Sequence, residues 1–209
     1  YKLSNITKIY DRAYLAKLTD EGDTLFMTAD TLVSIDSPDQ AKKRVLAYGN
    51  VKIFKTDLQG IADSVEYRIS DSTLVFYNKP VLWSDENQFS ADSISMQIEN
   101  NTINRIYMRT NAFVVAEDTV IHDFNQIKGR NMTADLRNRK LYRVLVDGNA
   151  ENLYFALDEK TKLLMGISAS TLCRCWVEPT AISLDILSTN RAHTTGIKLE
   201  EYTSVVMRP

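Results

Sequence analysis

An elastic repeat constrains this chain more than any other feature. Ala-Asp followed by Ser or Thr occurs at Ala29-Asp30-Thr31, Ala62-Asp63-Ser64 and Ala91-Asp92-Ser93, with a weaker copy at Ala134-Asp135-Leu136. Each copy leads into residues that alternate apolar and polar. Val65, Tyr67 and Ile69 alternate with Ser64, Glu66 and Arg68; Ile94, Met96 and Ile98 with Ser93, Ser95 and Gln97; Tyr142, Val144 and Val146 with Leu141, Arg143 and Leu145. A period of two gives a strand with one buried face. A polar turn and a second strand follow, and Asn recurs at positions 50, 78, 111, 149 and 190. Turn chemistry separates the runs, as at Ser70-Asp71-Ser72, Asn100-Asn101 and Asp147-Gly148-Asn149. The chain therefore reads as all-β, with many short strands in series and loops of varying length between them. The segment 37–49 fits a loop entering a strand as well as it fits the start of a helix.

The Asp of each copy reads as a structural turn residue. Asp30, Asp63, Asp92 and Asp135 are expected where a strand begins, with the short carboxylate accepting backbone N–H groups. The alternative, a ladder of calcium ligands, needs six to eight oxygens gathered in a loop. Single acids per repeat and only 7 Gly in the chain fit that poorly.

Composition narrows the function. A formal charge of −2 lacks the basic excess of a nucleic-acid binder. No apolar run reaches the length of a membrane helix. His122 and His193 stand far apart without a ligand pattern, and no nucleophile elbow, phosphate-binding glycine loop or zinc-protease motif occurs. No enzyme activity, metal or cofactor is expected. Cys173 and Cys175 are too few for a disulfide framework and read as free structural thiols. Lys42, Lys43 and Arg44, and again Arg137, Arg139 and Lys140, read as turn charges that keep sheet edges soluble; holding phosphate groups is the alternative.

Aromatic residues recur on successive strands, among them Phe54, Tyr67, Phe76, Trp83, Phe89, Phe113, Tyr142 and Phe155. They form either a packed core between two sheets or, where the sheets splay, an apolar groove for a ligand.

The stretches "GNVKIF" (49–54), "LQGIADSVEY" (58–67), "KPVLWSDENQFSADSI" (79–94) and "VDGNAENLYFALDE" (146–159) together resemble the OstA-like family of lipopolysaccharide transport proteins (LptA, LptC and the N-terminal domain of LptD), and in particular its longer Bacteroides-type members. The likeness covers about residues 9 to 160. It implies an elongated, taco-like β-jellyroll of serial antiparallel strands that shields lipid acyl chains in the periplasm. It also implies members stacked end to end into a bridge. On this resemblance the chain is a single domain over residues 1–209, a fragment of a longer exported protein, and binds lipopolysaccharide or a related lipid. Tyr67, Phe76, Met96, Phe113 and Val144 become candidate interior lipid contacts. Partners would be other Lpt-type bridge proteins or a head-to-tail second copy, joined through edges at 23–35 and 181–189. The alternatives are a ligand-free β-repeat structural or adhesion module, and a carbohydrate-binding or enzymatic β-solenoid with an exposed aromatic platform.

Overall fold

The computed structural model describes residues 5–18, 22–84, 87–99, 102–118, 120–137, 140–157 and 164–177. Among the described residues twelve strands form one antiparallel sheet: β1 (Ile6–Leu18), β2 (Thr24–Ile35), β3 (Arg44–Lys55), β4 (Leu58–Arg68), β5 (Thr73–Tyr77), β6 (Val81–Ser84), β7 (Asn87–Ser90), β8 (Ser93–Glu99), β9 (Thr102–Glu117), β10 (Phe124–Arg137), β11 (Lys140–Leu157) and β12 (Leu164–Val177). The segment before β3 holds only a short 3-10 turn, Gln40–Lys42, capped by the Asp39 side chain. Among the described residues there is no α-helix.

Neighbours in sequence are neighbours in the sheet, except at the centre. There β4 pairs with both β5 and β6, and β9 pairs with both β7 and β8, while β5 pairs with β8 and β6 with β7. Each of β5–β6 and β7–β8 thus acts as one long strand interrupted in the middle. The uninterrupted long strands bend at the same level. A crease runs across the sheet and folds it into two halves, a jellyroll whose inner faces share one hydrophobic cluster. That cluster joins Leu74, Phe76, Ile94, Met96 and Ile106 from one half to Ile53, Leu82, Phe89, Val114 and Ile127 from the other.

The crease explains the Asn repeat. Paired left-handed residues stand at Asp11-Arg12, Gly49-Asn50, Asn78-Lys79, Thr110-Asn111 and Gly148-Asn149, all with positive φ. Asn tolerates this region better than most residues. These pairs give alternate strands extra length against their neighbours. Asp11 and Arg12 fall opposite Asp30; Gly49 and Asn50 fall opposite Asp63; Thr110 and Asn111 fall opposite Arg130. Extra residues on one strand bend it and sharpen its twist. Small side chains line the inside of the fold line, with Ala13, Ala29, Ala47, Ala91, Ala112 and Ala150 all buried.

One expectation changes here. The segment 23–35 is not an edge: β2 lies between β1 and β3, because residues 6–18 form a complete strand that pairs along its outer side. The other proposed edge, 181–189, the Asn mark at position 190 and His193 lie outside the described residues. Among those residues β1 pairs with β2 alone and carries exposed Ile9, Tyr10, Tyr14 and Leu18.

Candidate functional site

The interior is built from the alternation seen in sequence. Phe76 and Met96 are fully buried in the shared cluster, and Val144 joins them from β11. Tyr67 is partly buried and packs against the same cluster. Phe113 does not belong with them. Its neighbours Ala112 and Val114 point into the cluster, so strand alternation puts Phe113 on the outer face. Parity along β9 runs unbroken from Ile106 and Met108 to Ala112 and Val114, so the inward expectation for Phe113 rests on its aromatic character and not on the two-residue period. The aromatic set therefore divides. Tyr67, Phe76 and Phe89 face the interior, whereas Phe54 is exposed on the outside in a row with Phe26 and Tyr14, at ring separations of 6.5 and 6.0 Å.

Away from the crease the interior loosens. Tyr67, Ile98, Ile103 and Leu136 lie toward one rim of the folded sheet and Leu15 and Leu25 toward the other, all only partly buried against the cluster. Lys17 reaches across, its ammonium 5.3 Å from the centre of the Tyr67 ring. The inside thus grades from tightly packed side chains at the centre to accessible apolar surface at the rims.

The Asp residues of the repeat sit on the outside of the crease. Asn50 donates to Asp30 at 2.9 Å, Asn78 to Asp63 at 2.9 Å, and Asn111 to both carboxylate oxygens of Asp92 at 3.2 Å. Asp30 and Asp63 lie within β2 and β4 and not at strand starts, and their partners are Asn50 of β3 and Asn78 in the break between β5 and β6. Asp30 also dictates its neighbour: a Cβ on Gly49 would come within 2.3 Å of the Asp30 carboxylate. Among the described residues no group of three or more His, Cys, Asp or Glu side chains gathers as a metal site.

Asp135 does something else. The register puts Gly129-Arg130, not Ala134-Asp135, at the crease of β10. Asp135 lies farther along the strand, on the outer face, between two arginines. Arg105 Nε donates to it at 2.5 Å from β9, and Arg143 Nε and Nη2 donate at 3.0 and 2.6 Å from β11. Burial pushes its carboxyl up, but these hydrogen bonds and charges outweigh burial and hold it below the usual carboxylate range. A similar knot surrounds Glu66, which accepts from Arg44 at 3.1 Å, Arg68 at 3.3 Å and the Tyr77 hydroxyl at 3.0 Å. Burial again opposes ionisation of Glu66, and the Arg68 and Tyr77 hydrogen bonds with the two guanidinium charges again prevail. These knots join residues up to 30 positions apart in sequence, so only the register exposes them.

His122 is an exposed loop residue with its Nδ1 3.5 Å from Glu117. Cys173 and Cys175 lie in β12. Among the described residues no helix is long and apolar enough to cross a membrane.

Residues 22–102 match the family described as LptA/(LptD N-terminal domain) LPS transport protein. A structural comparison finds LptH of Pseudomonas aeruginosa, described as the LptA homologous periplasmic component of the lipopolysaccharide transport device. It is 11% identical, with a TM-score of 0.40, over 79% of this chain and 94% of that one. No curated protein matches. The matched segment, residues 22–102, runs from β2 through β8 and holds the three Ala-Asp creases, and over it the chain is similar to the LptA/(LptD N-terminal domain) family.

Proposed function

We propose that this chain is a non-catalytic periplasmic lipid carrier of lipopolysaccharide transport, acting in outer-membrane assembly through a single OstA-like domain over residues 1–209. The observation that carries the reading is the graded interior: one apolar cluster runs through both halves of a creased sheet and ends in partly exposed Tyr67, Ile98, Ile103 and Leu136. An acyl chain laid along that rim gains about 0.8 kcal/mol for each methylene removed from water. Deeper entry, toward Phe76, Met96 and Val144, requires the two halves to part. No bond is made or broken, and the mechanism is transfer between an aqueous phase and an apolar trough. The exposed β1 edge suits addition of a strand from another Lpt-type bridge protein or a second copy.

Photo-crosslinking side chains placed at Tyr67 and Leu136, on the inner rim, should capture lipopolysaccharide in cells with active transport. The same groups at Ser95 and Thr133, on the outer face, should not, and Phe113 joins these controls. Equal capture on both faces would refute a specific trough.

A second reading, a ligand-free β-repeat structural or adhesion module, draws on the packed centre, where Leu82, Ile94, Met96, Ile106 and Met108 have no exposed surface. Absence of capture at both rim positions would favour it.

A further inference from the structure

One cleft lies where the outer face of the sheet turns into the rim. Its volume is about 980 Å³, and its walls include Arg105, Arg137, Arg143, Asp135, Tyr142 and Leu136. Three guanidinium groups stand there against two carboxylates, those of Asp135 and Glu99. The carboxylates are already engaged. Asp135 is shared between Arg105 and Arg143, and Glu99 accepts from Asn104. Asp135 therefore acts as a bracket that fixes two guanidinium planes side by side.

Arg137 is held in a different way. Its guanidinium carbon lies 3.6 Å from the centre of the Tyr142 ring, and among the described residues no carboxylate pairs with it. A guanidinium stacked on an aromatic face keeps its N–H donors in its plane, directed away from the ring. Leu136 forms another part of the wall and packs against the interior cluster. A single concavity thus joins an arginine cluster on the outside to the apolar rim on the inside.

We propose that this cleft binds a phosphomonoester, presented by the head of the amphiphile whose chains take the rim. This rests on the lipid-carrier reading above. Planar guanidinium forks match the oxygens of a phosphate, and charge-assisted hydrogen bonds are the stronger kind. The Leu136 side sets the distance from phosphate to acyl chain. Arg137 is the principal donor to the anion, with Arg105 and Arg143 as the fixed floor beneath it.

The test uses the full 209-residue chain and three probes: lipid A bearing its phosphates, the same lipid with the phosphates removed, and soluble glucosamine 1-phosphate. Affinities for the two lipids, dispersed in one detergent, are compared for the wild type, Arg137→Ala and Arg137→Lys. The wild type should prefer the phosphorylated lipid about tenfold, the scale of one charge-assisted hydrogen bond. Arg137→Ala should lose most of that preference while binding the dephosphorylated lipid unchanged, and Arg137→Lys should restore it only in part. Circular dichroism should be identical for all three proteins, because Arg137 is exposed. Equal wild-type affinity for the two lipids, or a preference that survives Arg137→Ala, overturns the proposal. Binding of glucosamine 1-phosphate that depends on Arg137, in a chain that binds neither lipid, supports the phosphate cleft and overturns the lipid-carrier reading instead.

Discussion

At the scale of residues, the crease depends on small side chains and on Asn in a conformation most residues avoid. Replacing Asn78, at φ 62°, with Val should cost about 1–2 kcal/mol from backbone strain, in addition to the lost contact with Asp63. Asp63→Ala removes only that exposed hydrogen bond and should cost about 0.5–1.5 kcal/mol. Chemical denaturation separates the two, and a larger loss for Asp63→Ala would mean that the carboxylate holds more than its Asn partner. Added calcium should leave the melting temperature of the wild type unchanged; a sharp rise that Asp63→Ala abolishes would indicate a cation site. Gly129→Ala should be worse than the Asp63 substitution, at about 1–3 kcal/mol. Its new Cβ would sit 2.2 Å from a methyl of Val146, a side chain with no exposed surface into which to retreat.

At the scale of elements, the arginine–carboxylate knots tie neighbouring strands together on the outer face. Asp135 has a folded pKa below its unfolded value, so it contributes stability that is fully present above the unfolded pKa. That contribution is lost as pH falls through the acidic carboxylate range toward the folded pKa. Glu66 behaves in the same sense between β3, β4 and β5. Asp135→Asn should therefore destabilise the protein by about 1–3 kcal/mol at neutral pH. The loss should shrink toward zero near the foot of the acid limb, where the wild-type carboxylate is itself protonated. Urea unfolding of the two proteins at several pH values measures this, and a gap that does not depend on pH would show that Asp135 acts through packing alone. Strand β1 is the other element under test. Lys substituted at Ile9 or Tyr14 places charge on an exposed edge strand and should weaken concentration-dependent association without changing the β signal in circular dichroism. Undiminished association would assign the contact to a different surface.

At the scale of the whole molecule, the two-residue period and the recurring turn chemistry made the class of fold legible, since alternation over many short runs admits few arrangements other than serial antiparallel strands. Phe76, Met96 and Val144 were legible as interior for the same reason: each lies in an uninterrupted run where parity holds. Legibility ended where an extra residue entered a strand. Opposite Thr110-Asn111 the single residue Arg130 takes the crease of β10, which leaves Asp135 to a pair of arginines; Phe113 lies outward on the same parity that buries Ile106 and Met108, which its aromatic character masks. The N-terminal edge was misplaced by one strand because residues 6–18 form a complete strand, β1, outside β2. The sequence by itself determined an all-β chain of serial strands with a periodic Asp and Asn signature, because those properties follow from local stereochemistry and the side-chain period. Only the tertiary structure decided which carboxylate meets which Asn or Arg, which aromatics face the interior, and that a cleft lined by arginines opens beside the rim. Those depend on register across strands, and the recurring Asn marks where a bulge lies without saying which residues of the neighbouring strand it brings opposite.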